Sequence, residues 1–180
     1  MSTLPTFELY DSDALAHVME ASQEACACCG QARGWKYTGP FYSEHDDLVI
    51  CPWCIANGAA AKEFDGTFND GLHYDCTVSV SEADLSLISE RTPGFESWQD
   101  NQWWACCGIP CRYLGEATAA DFQGRWKSLV PALRDDLGEA MDDPQQFEEF
   151  IRIAERGGSP SVHVFQCRSC SKLHCYWVMD

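Results

Sequence analysis

Twelve of the 180 residues are cysteine, and their spacing constrains the fold more than any other feature of the chain. Cys26 with Cys29, Cys51 with Cys54, and Cys167 with Cys170 each form a C-x2-C pair, and Cys107 with Cys111 forms C-x3-C. Cysteines paired at this spacing serve disulfide frameworks or metal sites. The opening MSTLPTFELY lacks the basic-then-apolar pattern of a secretory signal. No apolar run approaches the roughly 20 residues that span a bilayer. The expectation is therefore a cytoplasmic protein without a membrane segment, where thiols stay reduced and disulfides are rare. The remaining structural use for so many cysteines is metal.

Zinc takes four ligands in a tetrahedron, with Zn–S near about 2.3 Å. Two turns of the C-x2-C kind aim two sulfurs each at one point and close that tetrahedron. Cys26, Cys29, Cys51 and Cys54 form the first expected site. Residues 30–50 are the right length for a hairpin, and Pro52 suits the first turn of a following helix. Turn, hairpin, then a turn opening a helix is the order of a treble clef, expected at 22–64. The helix start also favours thiolate charge. Cys107, Cys111, Cys167 and Cys170 form the second expected site, a zinc-ribbon-like closure of the helical segment 103–180. Cys106, His174 and Cys175 remain open as alternative ligands there. Two zinc ions are the expected cofactor, although four thiolates accept iron as well. Cys28, Cys76, Cys106 and Cys175 are left over and read as buried or spare thiols.

The rest of the chain alternates short elements. Asp11 to Gln23 reads as a short helix with poor apolar spacing. Trp35 to Thr38 and Leu48 to Ile50 read as paired strands around the Gly39-Pro40 turn. Ile55 to Phe64 reads as a helix and Thr77 to Val80 as a strand. Ser81 with Asp84 resembles a capping box opening a helix to about Glu90, with Leu85 and Ile88 inward and Thr92-Pro93-Gly94 ending it. Phe95, Trp98, Trp103 and Trp104 read as a core segment. From Asp121 to Glu155 the pattern is helical in two pieces. Asp143 caps the second, and Phe147, Phe150, Ile151 and Ala154 share one face. Val162 to Phe165 and Leu173 to Trp177 flank the last C-x2-C as strands. The fold class is α+β: treble-clef and zinc-ribbon-like modules, a small antiparallel sheet and intervening helices, in one domain over 1–180.

The formal net charge of -16 disfavours nucleic acid and anionic membranes, both of which it repels. Eight thiolates with two Zn²⁺ would take the charge to about -20. An unidentified protein partner, basic in character, suits such a surface.

Several motifs together resemble one family. These are the run Cys26 to Gly30, Tyr37-Thr38-Gly39-Pro40, Cys51 to Ala56, Thr92 to Phe95 with Trp98-Gln99, Cys107-Gly108 to Cys111 with Leu114-Gly115, and the closing Phe165 to Cys170. They resemble the CbrC family of largely uncharacterised bacterial proteins, whose named member is linked to colicin tolerance under a two-component system. The resemblance covers nearly the whole chain. It implies a bacterial cytoplasmic protein with the eight motif cysteines as its metal set, and no established reaction. Cys106 stands where the resemblance leads one to expect histidine, which leaves the second ligand set open.

Three functional readings follow, the first of them favoured. Both expected sites are all-sulfur and closed, whereas catalytic zinc keeps an open position, so the first reading is a binding or adaptor protein with structural zinc. HExxH, GxSxG, P-loop and GxGxxG motifs are absent. The second reading is thiol redox chemistry at Cys51-Pro52-Trp53-Cys54, against which stands the lack of a thioredoxin-like βαβ pattern. The third is an enzyme using Asp65, Asp70, His73 and Asp75, a stretch that reads more simply as a solvated turn region. His45 beside Asp46 and Asp47 is weaker still.

Overall fold

Prolines, glycines and capping side chains punctuate the chain so closely that no helix exceeds ten residues among the described residues. The computed structural model describes residues 3–138 and 143–180. It is a mixed α and β fold of small antiparallel sheets and short helices.

The first elements differ from expectation. Helix α1 is a single turn, Ser12–Leu15, whose cap Asp11 accepts from the Asp13 N–H. The rest of the expected helix straightens into β1 (Met19–Ser22), which pairs antiparallel with β2 (Gly34–Tyr37). Leu48 to Ile50, the expected partner of β2, forms no ladder with it. Single bonds tie it down, Tyr37 N to Ile50 O and Ala27 N to Val49 O. The backbone groups of β2 need partners, and Met19 to Ser22 supplies them while Val18 and Met19 enter the core.

Helix α2 (Pro52–Ala56) and helix α3 (Ala59–Phe64) replace one expected helix. The break is at Gly58, with φ +75°, a left-handed conformation that glycine adopts without a Cβ penalty. Thr77 to Val80 forms no strand. Helix α4 (Glu82–Arg91) opens on the expected capping box, with the Asp84 N–H donating to Ser81 Oγ and the Ser81 N–H to Asp84 Oδ2. Ile88 is fully buried, but Leu85 is exposed, so the inward stripe of α4 is narrower than its spacing predicts.

A two-residue hairpin follows, β3 (Ala105–Cys106) against β4 (Ile109–Pro110). Then comes the main sheet, in the order β5-β6-β7, from β5 (Arg112–Glu116), β6 (Ser161–Gln166) and β7 (Leu173–Val178), antiparallel throughout. Strands β6 and β7 match expectation; β5 is an addition to it. Ser161 to Phe165 of β6 are all buried, because the sheet is covered on both faces. Side chains alternate along a strand. His163 and Phe165 meet an aromatic core with Phe95, Tyr113 and Tyr176. Val162 and Val164 meet a second core under the helices.

Those helices are α5 (Ala119–Gln123), a 3-10 turn at Lys127–Leu129, α6 (Val130–Leu137) and α7 (Pro144–Ile153). Asp143 caps α7 through the Gln145 N–H, and Phe147, Phe150 and Ala154 are buried, as the periodicity predicts. Residues 139–142, between the two expected helical pieces, lie outside the described residues. Phe95 and Trp103 are core residues, whereas Trp98 is half exposed and donates from Nε1 to Gly158 O.

Candidate metal centres

The turn at Cys26 is set by its own backbone. The Gly30 N–H returns to Cys26 O at 2.8 Å, and the Cys26 N–H donates to Gln31 O at 3.1 Å. Gly30, at φ +68°, makes the reversal. This turn presents Cys26 and Cys29 to the start of α2, where Cys51 is the cap residue and Cys54 lies one turn on. The Cys51 N–H donates to Cys26 Sγ at 3.2 Å. The four sulfurs of Cys26, Cys29, Cys51 and Cys54 all lie within 4.8 Å of one another.

The second group is assembled from a turn and a hairpin. The Cys167 N–H donates to Lys172 O at 2.9 Å and the Ser171 N–H to Cys167 O at 3.0 Å, with Ser171 at φ +59°. Opposite this turn stands the β3–β4 hairpin, whose loop residues Cys107 and Gly108 both have positive φ, as a tight two-residue hairpin requires. Cys106, Cys107, Cys167 and Cys170 gather within 4.8 Å.

Cys106, and not the expected Cys111, is the fourth member of the sulfur group that the structure gathers here. The hairpin ladder pairs Cys106 with Ile109, and the Cys111 N–H donates back to Trp104 O. Cys111 therefore sits two residues down the hairpin from Cys106, roughly 7 Å of strand. It is fully buried, its carbonyl accepts from Trp103 Nε1, and burial pushes its thiol far up. A C-x3-C spacing suits two ligands in an open loop; here a ladder carries the second cysteine away from the turn. The missed signal was Cys107-Gly108 between two apolar residues on each side, a hairpin-turn dipeptide. His174 and Cys175 stand elsewhere: His174 stacks on Trp104, and Cys175 lies against the helical core. Neither belongs to the group.

The separations fit a tetrahedral ion. Sulfurs about 2.3 Å from a central zinc would be about 3.8 Å apart along each edge. Cys26 to Cys54 and Cys29 to Cys51 are both 3.8 Å, Cys106 to Cys107 is 3.7 Å and Cys106 to Cys170 is 3.8 Å. All twelve cysteines are free of disulfides. In each group one sulfur is prepared as a thiolate. Burial pushes the Cys26 thiol up, but the N–H groups of Cys51, Cys29 and Cys28 outweigh it and bring it down to about 7. Cys167 is likewise lowered to about 6, with the N–H groups of Cys170 and Ser169 outweighing burial. Neighbouring thiols pay for this: Cys106 is pushed up to about 12 by burial and then by the adjoining sulfurs, and Cys54 is raised further still by the same causes. Four thiolates at these distances would repel one another unless a cation lay between them, so each group could hold a metal ion.

The other expected candidates do not converge. His73 is buried between the rings of Trp104 and Tyr176, and burial lowers its pKa. Asp75 lies 3.8 Å from its Nδ1, Asp70 accepts from the Asn101 N–H, and Asp65 ends α3. His45 is an exposed residue against Phe64. Among the described residues, only the two cysteine groups bring three or more metal-ligating side chains together. No described helix is long and apolar enough to cross a membrane.

Comparison with known proteins gives relatives but no reaction. The chain is 33% identical over 175 residues to the UPF0167 protein PA1536 of Pseudomonas aeruginosa, covering 95% of this chain and 94% of that one. It is 34% identical over 168 residues to the UPF0167 protein Mb2317 of Mycobacterium bovis, covering 93% and 89%. The UPF0167 protein MT2352 of Mycobacterium tuberculosis matches to the same extent. No solved structure matches the chain. The family model described as Uncharacterised protein family (UPF0167) matches residues 4–179, and the chain belongs to that family.

Proposed function

We propose that the protein is a cytoplasmic binding or adaptor protein whose two four-cysteine groups each hold a structural zinc ion, with a basic protein as its partner. The observation that carries this reading is the gathering of eight sulfurs into two groups, all within 4.8 Å of one another in each, with two separations of 3.7–3.8 Å in each group. Thiolates in that arrangement suit zinc, and a closed all-sulfur set leaves no position for an attacking water. The residues that would hold the ions are Cys26, Cys29, Cys51 and Cys54, and Cys106, Cys107, Cys167 and Cys170. The net charge of -16 supports a basic partner. The resemblance to the CbrC family adds the expectation that the protein is linked to colicin tolerance or an envelope stress response.

Neither the redox nor the enzymatic reading gains an observation. Cys51 and Cys54 are buried and each lies 3.8 Å from a further sulfur, so a dithiol free for exchange is not what this turn presents. The polar stretch from Asp65 to Asp75 does not form one site.

Native mass spectrometry with elemental analysis tests the scaffold. Two zinc ions per chain are expected, and complete chelation should abolish the near-UV circular dichroism in one cooperative step. An unchanged near-UV spectrum after complete metal removal would overturn it, and iron in place of zinc would overturn the choice of ion.

A further inference from the structure

Away from both sulfur groups, two cavities share a wall made by Glu96, Glu116 and Gly157. The first, about 250 Å³, contains Arg156 and His17, which engage each other at 2.6 Å. The second, about 340 Å³, is lined by no lysine, arginine or histidine. Tyr42 and Trp98, 45% and 50% exposed, line it together with Glu96, Glu116 and Ser161.

Three observations on this second cavity point the same way. No ion pair within 4 Å is formed by Glu96 or Glu116 among the described residues; Glu116 Oε2 accepts the Gly157 N–H, and Arg156 in the first cavity acts on Glu116 from farther off. Ser161 is 2% exposed, and its hydroxyl is buried with no hydrogen-bond partner. Tyr42 and Trp98 line the same cavity as the carboxylates and are partly exposed, and aromatic side chains near carboxylates suit an organic cation, which the ring quadrupole attracts. Burial, and then the charges of Asp70 and Asp100, push the Tyr42 hydroxyl up, so the surroundings of this residue are acidic as well.

We propose that this cavity receives the cationic side chain of a lysine or arginine from a basic protein partner, between the Tyr42 and Trp98 rings and against Glu96 and Glu116. The proposal deepens the binding reading above and rests on it. A chain at -16 draws basic protein surfaces at long range, and an acidic cavity with exposed aromatic side chains gives one basic side chain a place to dock.

The test uses the zinc-loaded full chain and calorimetric titration with a short lysine-rich peptide. Putrescine serves as a free-amine probe. Saturable binding at one cavity per chain is expected, weakened at least tenfold by Glu96→Gln and by Trp98→Ala. Asp135→Asn, which removes the same charge from exposed α6 outside the cavity, should leave affinity within twofold. Equal losses in Glu96→Gln and Asp135→Asn would reduce the effect to the general acidic field and overturn the proposal. So would absence of saturable binding. Putrescine binding as tightly as the peptide would overturn the protein partner in favour of a free amine. The two readings fail separately: two zinc ions without peptide binding removes the cavity proposal alone, and cavity-dependent peptide binding by a chain that keeps its fold without metal removes the zinc scaffold alone.

Discussion

At Cys26 and at Cys167 the chain makes the same turn. The first cysteine's N–H reaches the carbonyl five residues on, Gln31 in one case and Lys172 in the other. The residue four positions on, Gly30 or Ser171, is left-handed. In each turn, backbone N–H groups lower the pKa of the first sulfur. What meets the turn differs. The first faces the start of α2, and Cys26, Cys51 and Cys54 are buried among Ile50, Ile55 and Tyr37 of the main core. The second faces a two-residue hairpin, and Cys107 and Cys170 are exposed. One local turn thus serves a group set mostly within the core and a group that is anchored there by Cys167 but opens to solvent at Cys107 and Cys170. The local motif aims sulfurs; the partner element decides how much of the fold depends on them.

The largest expected effect tests that dependence. A structural zinc contributes on the order of 10 kcal/mol in small metallo-domains, comparable to the roughly 5–15 kcal/mol total stability of a folded domain. Cys54→Ser removes a buried sulfur of the first group from the helix that carries fully buried Ile55. Its variant is expected to lose one metal ion and its cooperative calorimetric transition together. Cys170→Ser should also lose one ion but keep a cooperative transition, because the β5-β6-β7 ladders and the helical core persist without it. Equal unfolding of the two variants would break the comparison.

A smaller effect sharpens the second site. Cys106→Ser should reduce metal content from two ions to one. Cys111→Ala should keep both and cost about 1 kcal/mol, the order of removing one methylene-sized group from a packed interior. Elemental analysis with urea unfolding separates the two. Loss of an ion from Cys111→Ala would restore the ligand set that spacing alone suggests.

That pair of cysteines also shows where sequence reasoning stops. The C-x2-C turns were legible because four neighbouring residues encode them, and the caps at Ser81 and Asp143 because a side chain meets a backbone three or two positions away. Choosing Cys106 over Cys111 needs the register of a hairpin. Pairing β2 with Met19 to Ser22, not with Leu48 to Ile50, needs knowledge of which extended segment reaches its edge. Strand β5 escaped notice because its buried residues, Tyr113 and Gly115, do not make an apolar run. The cavity draws Tyr42, Glu96, Trp98, Glu116 and Ser161 from segments far apart in the chain, so no local pattern announces it.

The smallest effect asks whether the two turns are energetically alike. A left-handed residue with a Cβ costs roughly 1–2 kcal/mol relative to glycine. Nothing lies within 4 Å of a Cβ built on Gly30, so Gly30→Ala meets no clash and should cost only this backbone term, about 1 kcal/mol, with both ions retained. Ser171→Gly removes the same strain but gives the unfolded chain more freedom, worth about 0.4–1 kcal/mol in the opposite direction. Its net change should lie between neutral and a stabilisation of about 1.6 kcal/mol. Urea midpoints measured on the metal-loaded variants read both. If Gly30→Ala instead releases an ion, the buried turn is held to a tighter geometry than the exposed one. Their equivalence would then end at the backbone hydrogen bonds.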